Sequence, residues 1–325
     1  MKKYLFSFIF ICFFILVVTT ACCNRYVLEL PDVEIVYQSK DRDQQIIGFI
    51  DANGIQNTIS DLDFYANRPI WSLDGKEIMV LKSWGNIDYG KVDIAATRGG
   101  QIIRFYQEDR ISICKNRELR GVGQMEPAGN LDDHQILIEN AGLELILFDY
   151  VKCEEIIKYV DLESYDEGQI VGASLSSDGR SLVYALSSSL EEEDIEYIIN
   201  IMDTQSMEVR AIGSGVYPSW SPDDQWIAYV GWDGIRMMES DGMHDRLIVE
   251  YDSTIDYPLR GMGFMTTSPI PQWSPDGEWL VYHKCTSVTK DCEYIKVFSI
   301  FKFELSTGRE FLILEGGAYP DWKGD

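Results

Sequence analysis

Two arginines stand in near-identical words, Leu119-Arg120-Gly121-Val122-Gly123-Gln124-Met125 and Leu259-Arg260-Gly261-Met262-Gly263-Phe264-Met265. A guanidinium presents a planar fork of donors that matches a carboxylate or phosphate in two-point contact. Arg120 and Arg260 are therefore the candidate ligand-binding residues, if the fold brings the two words together. The alternative is that each arginine pairs with a local acid while the glycines serve the backbone. Asp51-Ala52-Asn53-Gly54 and Asp241-Gly242 have the composition of oxygen-ligand loops for calcium, but neither continues to a distal Glu, so turn chemistry is the better reading. Zinc lacks ligands, since the chain has no Cys-x-x-Cys pair and only His134, His244 and His283. No Gly-x-Ser-x-Gly occurs, and 53 acidic residues make chance carboxylate pairs uninformative. No catalytic residue, metal ligand or cofactor is expected.

Charge and cysteine narrow the setting of this chemistry. With 28 basic against 53 acidic residues the formal charge is −25, which excludes nucleic acid as a partner because phosphate binding needs a basic face. The 325-residue chain opens with Lys2 and Lys3, an apolar run from Tyr4 to Val18, then Thr19-Thr20-Ala21-Cys22-Cys23. That is the charged, apolar and small-residue pattern of an export signal, expected over residues 1–21. It also resembles a bacterial lipoprotein signal, and the resemblance implies lipid attachment at Cys22, with residues 22–30 as a lipid-anchored linker. Cleavage without lipid, or an uncleaved anchor, are the alternatives. Each outcome puts residues 31–325 outside the cytoplasm, on the cell surface or a periplasmic face. There Cys285 and Cys292, flanking a polar insert, could staple a hairpin as a disulfide.

The elements that must position these residues are set by a repeated word. Pro271-Gln272-Trp273-Ser274-Pro275-Asp276-Gly277 leads into an apolar strand, as do Pro218 to Asp224 and Pro69 to Gly75. Ser-Pro-Asp-Gly is turn chemistry, so each word reads as a tight hairpin. Degenerate copies stand at Pro127 to Asp133 and Ala173 to Gly179, and a truncated one at Tyr319 to Trp322. Anchors at Trp71, Gly129, Leu175, Trp220, Trp273 and Trp322 are spaced by 58, 46, 45, 53 and 49 residues. Four strands in each such period mark an all-β, six-bladed β-propeller. The N-terminus supplies three strands lacking a first, and the C-terminus a first strand lacking its blade. Pairing of the C-terminal strand with the N-terminal strands is expected to close the ring over residues 31–325 as a single domain.

Trp-Ser-Pro-Asp-Gly and Trp-Ser-Pro-Asp-Asp, each followed by an apolar strand ending in Tyr, resemble the WD-repeat-like propeller repeats of the TolB-like family. The resemblance implies an extracytoplasmic, usually non-catalytic ring working through contacts with other envelope components. Trp71, Trp220, Trp273 and Trp322 then read as packing between blades. Function is expected on the face opposite the turns, where the longer loops fall. The expected partner is a protein or peptide of the cell envelope, bound by a monomer through its loop-rich face or channel mouth. The alternative is an enzyme or carbohydrate-binding propeller with its site in the central channel, which a cluster of titratable groups at the axis would favour.

Overall fold

One serine hydroxyl organises each repeated turn. Ser274 donates to Asp276 Oδ1 at 2.5 Å and accepts the Trp279 amide at 2.9 Å. Ser221 repeats both bonds with Asp223 at 2.6 Å and Trp226 at 2.9 Å. Ser176 does the same with Asp178 and Ser181, each at 2.9 Å. The next position is left-handed, with φ of 70° at Gly179, 57° at Asp224 and 70° at Gly277. Glycine meets that demand without a Cβ penalty. Asp224 instead uses its carboxylate, which accepts the Ser177 amide at 2.7 Å and the Ser177 hydroxyl at 2.6 Å, tying its turn to the turn before it.

The computed structural model describes residues 33–41, 44–51, 53–59, 65–71, 75, 78–83, 92–93, 96–98, 101–104, 122–127, 135–140, 142–149, 152, 154–188, 195–251, 270–285 and 298–323. The chain begins with β1 (Val33–Asp41), β2 (Gln44–Asp51) and β3 (Gln56–Ile59). Next come β4 (Tyr65–Trp71), β5 (Ile78–Ser83), β6 (Val92–Asp93), β7 (Ala96–Arg98) and β8 (Gln101–Arg104). Three consecutive four-stranded antiparallel sheets follow. They are β9 (Val122–Pro127), β10 (Gln135–Asn140), β11 (Glu144–Asp149) and β12 (Glu154–Asp161); β13 (Ile170–Leu175), β14 (Ser181–Ser187), β15 (Tyr197–Asp203) and β16 (Val209–Ser214); and β17 (Val216–Trp220), β18 (Trp226–Val230), β19 (Gly234–Glu239) and β20 (Arg246–Glu250). A fourth comprises β21 (Gln272–Trp273), β22 (Trp279–Cys285), β23 (Phe298–Glu304) and β24 (Arg309–Glu315). The last strand, β25 (Gly317–Trp322), pairs with β1 through Ile35↔Trp322 and Ser39↔Gly317, making a fifth sheet in the order β25-β1-β2-β3.

The architecture is an all-β propeller with five four-stranded blades among the described residues, where the repeat period led us to expect six. The difference lies in the unit opened by Trp71. The sequence of that unit reads as a strand from Val92 to Ala96, a turn at Arg98-Gly99-Gly100 and a strand from Gln101 to Tyr106, whereas Val92 and Ala96 fall in two separate described strands, β6 and β7. β6 pairs with β5 at Val80↔Asp93 and Leu81↔Val92, while β7 pairs with β8 at Ala96↔Arg104 and Arg98↔Gln101. Among the described residues a three-stranded and a two-stranded sheet stand where one blade of four was expected.

Burial falls outward across each blade. β13 and β17 are wholly buried, whereas β16 is exposed at every residue but one. First strands therefore lie inside the propeller and fourth strands at its rim. The anchors fill the seams: Trp220 shares a core with Val183 and Ile199 of the preceding blade, and Trp273 with Ile235 and Met237 of its own predecessor. Trp273 Nε1 also donates to the Ser219 carbonyl at 3.1 Å across a seam.

Because one hydroxyl makes two hydrogen bonds in its turn, Ser274→Ala is expected to lower the unfolding free energy by roughly 1–2 kcal/mol. Urea denaturation of the variant against wild type measures this, and an unchanged midpoint would refute the role given to the hydroxyl.

Candidate functional site

Inside the propeller the blades stop resembling one another. Three residues before an anchor, the first strands bulge, with register shifts between Asn67 and Ile70, Ile170 and Ala173, and Val216 and Ser219. The bulged residues are left-handed: Arg68 at φ 45°, Gly172 at 89°, Tyr217 at 52° and Tyr319 at 49°. For Arg and Tyr that conformation costs about 1–3 kcal/mol each, so surrounding contacts must hold it. The second strands supply the matching position, the residue after Ile35-Val36-Tyr37, Ile136-Leu137-Ile138, Leu182-Val183-Tyr184, Ile227-Ala228-Tyr229 and Leu280-Val281-Tyr282. Two blades place Ala185 and Val230 there, as a core demands, whereas three place Gln38, Glu139 and His283, all buried.

These polar residues form one cluster with Arg68 at its hub. Gln38 Oε1 accepts the Arg68 amide at 3.1 Å, fixing the bulge. The Arg68 guanidinium lies 4.9 Å from the centre of the Tyr319 ring and is in hydrogen-bonding contact with Tyr217 and Tyr319. Glu139, 4% exposed, accepts the Gly172 amide at 3.2 Å and faces the charge of Arg68. His283, 0% exposed, lies 4.7 Å from the Tyr319 ring and edge-on to Phe298 at 5.1 Å. Its Nδ1 accepts the Tyr319 amide at 3.2 Å. A neutral imidazole that accepts at Nδ1 carries its proton on Nε2, and that Nε2–H has no hydrogen-bond partner among the described residues.

Burial sets the electrostatics. Desolvation raises the Glu139 carboxyl to about 7, although Arg68 and the Gly172 amide pull it back. Desolvation lowers His283 to about 3, and the nearby Arg68 charge adds to the effect. For Arg68 burial opposes the charge, but Tyr319, Tyr217 and Glu139 outweigh it and its pKa is raised. Tyr217 is pushed up by desolvation, so its phenol stays protonated. The cluster thus holds a fixed cation, a carboxyl poised between its two forms, the neutral phenol of Tyr217 and a His283 donor with no partner among the described residues.

The residues singled out from sequence lie elsewhere. Arg120, Arg260, Cys22 and Cys292 fall outside the described residues; Cys285 ends β22, and its side chain, with any bond to Cys292, falls outside them as well. Asp51 Oδ1 accepts the amides of Asn53 at 2.9 Å and Ile55 at 2.7 Å, and Asp241 Oδ1 accepts Met243 at 2.8 Å, which is turn chemistry. Among the described residues no three His, Cys, Asp or Glu gather as metal ligands. The axial cluster was missed, although the repeat contains its signal: a position that is apolar in some copies is Gln, Glu or His in others. On the face opposite the Ser-Asp turns, Trp232 in the β18–β19 loop is 55% exposed. On the turn face itself, a cleft of about 530 Å³ opens between the turns at Ser221 and Ser274, lined by Trp226, Arg246 and Trp273.

No protein-family profile and no curated protein matches the sequence. Among solved structures, a protein described as a TolB of Agrobacterium tumefaciens is similar at 13% identity, covering 88% of this chain and 91% of that one, with a TM-score of 0.55. An oligogalacturonate lyase in complex with manganese aligns at 13% identity over 86% and 72% of the two chains, with a TM-score of 0.45. The β-propeller domain of Myceliophteria thermophila Cps50 (Swd1) aligns at 13% identity over 88% of each, with a TM-score of 0.49. The first of these shows the fold, a TolB-like β-propeller.

The two buried titratable groups give opposite pH dependences. Glu139 is raised in the folded protein, so its contribution to stability is present below about pH 4.5 and is lost as pH rises toward about 7. His283 is lowered, so its contribution is present above about pH 6.5 and is lost as pH falls toward about 3. Urea denaturation across this range should show Glu139→Gln gaining on wild type as pH rises, by on the order of 3 kcal/mol. His283→Asn should gain on wild type as pH falls. Parallel pH profiles for wild type and either variant would contradict the assignment.

Proposed function

We propose that this chain is a non-enzymatic, extracytoplasmic binding propeller, anchored to the membrane through a lipid on Cys22 after removal of residues 1–21. It acts as a monomer and takes a protein or peptide of the cell envelope at its channel mouth or loop-rich face. The observation that carries this reading is the inner ring. The repeat is kept where it builds blades and abandoned where side chains face the axis, the pattern of a scaffold that carries a site.

In this reading the propeller has six blades and is closed, the strands from β4 to β8 serving as the sixth blade. Support comes from the first strands, which touch in the order β25, β4, β9, β13, β17, β21 and again β25. The Trp71 amide, donating to Asp321 Oδ2 at 2.7 Å, links β4 to the C-terminal strand in the same sense. Exposed Trp232 supports the loop face as the docking side, since tryptophan is the side chain most enriched among interface anchors.

A second reading, an enzyme acting in the channel, is favoured by Glu139, whose pKa of about 7 suits a general acid or base. Against it, Glu139 and His283 are sealed from solvent, and each is committed to a backbone amide.

Two measurements test the proposal. Cys22→Ala should move the full-length protein from the membrane fraction to the soluble one, and a protein that stays in the membrane would remove the lipid anchor. In pull-downs from envelope extract, Trp232→Ala and the Arg120→Ala/Arg260→Ala double variant should lose captured protein while Arg246→Ala on the turn face keeps it. The opposite pattern would place binding on the turn face.

A further inference from the structure

Two neighbouring seams on the turn face differ in how they are closed. The blades on either side match position for position. Ser176 and Ser221 cap the residues that pair as Ser181↔Asp203 and Trp226↔Glu239, so the pair Ile201↔Arg210 corresponds to Met237↔Arg246 in the next blade. Arg210 closes the seam ahead of it with its fork, donating to the Ser240 carbonyl at 3.0 Å and the Asp241 carbonyl at 3.2 Å. Asp224 ties the same seam to Ser177, and Asp178 has Arg180 Nε 3.7 Å from its Oδ2. Among the described residues none of these partners recurs between the blade of β17–β20 and that of β21–β24. Pro222 and Gly277 stand where Ser177 and Asp224 stand, and Gln225 and Glu278 take the place of Arg180. Arg246 lies instead over the Trp226 ring, 5.1 Å from its centre. The cleft of about 530 Å³ is the space that these missing ties leave open.

We propose that this cleft binds a small zwitterion with an apolar body, the chemistry of an apolar amino acid or of a short apolar peptide with free ends. The cleft brings together one cation, Arg246, and two anions, Asp223 and Asp276, and none of the three has an ion pair among the described residues. Arg246 receives the carboxylate, since its counterpart Arg210 takes two oxygens with the same fork. Asp223 and Asp276 each commit Oδ1 to a serine hydroxyl and a main-chain amide, which leaves Oδ2 for an ammonium. The body lies against Trp226, Leu305 and the buried Met237 and Trp273. A lone anion would meet the two carboxylates and a lone cation the guanidinium, so the ligand carries both charges. All three charged groups are exposed, so each contact is weak and is screened by salt. This site lies on the opposite face from Trp232 and is separate from the protein docking proposed there.

The test titrates the full-length protein and follows the indole N–H resonances of Trp226 and Trp273. The probes are phenylalanine, the dipeptide leucyl-phenylalanine, phenylalanine amide, which lacks the carboxylate, and N-acetylphenylalanine, which lacks the ammonium. At least one of the two zwitterions should shift these resonances with a Kd on the order of 1 mM, and the tighter of the two identifies the source as free amino acid or peptide. The amide and the acetylated probe should bind roughly tenfold more weakly. Arg246→Ala should weaken the zwitterion roughly tenfold and leave the amide unchanged, which a general loss of structure would not do. Equal binding of all four probes, a zwitterion affinity unchanged in Arg246→Ala, or no shift at about 10 mM of either zwitterion would overturn the assignment. Because Arg246→Ala is expected to keep envelope capture, loss of the zwitterion with capture intact leaves the docking reading standing, and the two proposals fail separately.

Discussion

The pairing of the last strand with the first is the contact on which the interior depends. β25 runs antiparallel to β1 from Ser39↔Gly317 to Ile35↔Trp322, and the Lys323 amide donates to the Glu34 carbonyl at 2.7 Å to extend it. That pairing covers the backbone edge of β1, which would otherwise be open to another chain. It also delivers Tyr319. The Tyr319 amide fixes the tautomer of His283, its ring supports Arg68, and one residue of β25 thereby joins side chains from opposite ends of the sequence.

Turns and axis solve different problems with the same blade. In the turns, Ser176, Ser221 and Ser274 repeat one arrangement because every blade must reverse its chain in the same way. At the axis the backbone bulge repeats, but the side chains upon it do not. Gly172 takes the left-handed bend without a Cβ, while Arg68, Tyr217 and Tyr319 take it strained. The hydrogen bonds and ring contacts of the cluster compensate for that strain, and this links the polar interior to the stability of the first strands.

The sequence made the scaffold legible because its signals are local. A Ser-Pro-Asp-Gly turn followed by an apolar run is readable in one stretch, and counting copies of it exposed the period and the complementary chain ends. The Trp71 unit was legible in part: the strand expected from Gln101 pairs with the one before it, but nothing local in Val92 to Ala96 signals that its two ends belong to different sheets. The site was harder still. Arg68, Glu139 and His283 are far apart in sequence and carry no motif, and their meeting depends on which strand positions face the axis. Arg120 and Arg260 drew notice because they sit in similar words, which is a property of the sequence and not of proximity. Aligning the blades and asking where a core position turns polar would have pointed to Gln38, Glu139 and His283.

The central claim is that β25 holds His283 as a dry, neutral donor at the heart of the propeller. Nitrogen-detected spectroscopy of the histidine side chains around pH 5, between the folded value near 3 and the ordinary 6.5, tests it most directly. A neutral His283 with its proton on Nε2 is the predicted result. An imidazolium at that pH, or a neutral ring protonated on Nδ1, would contradict the claim.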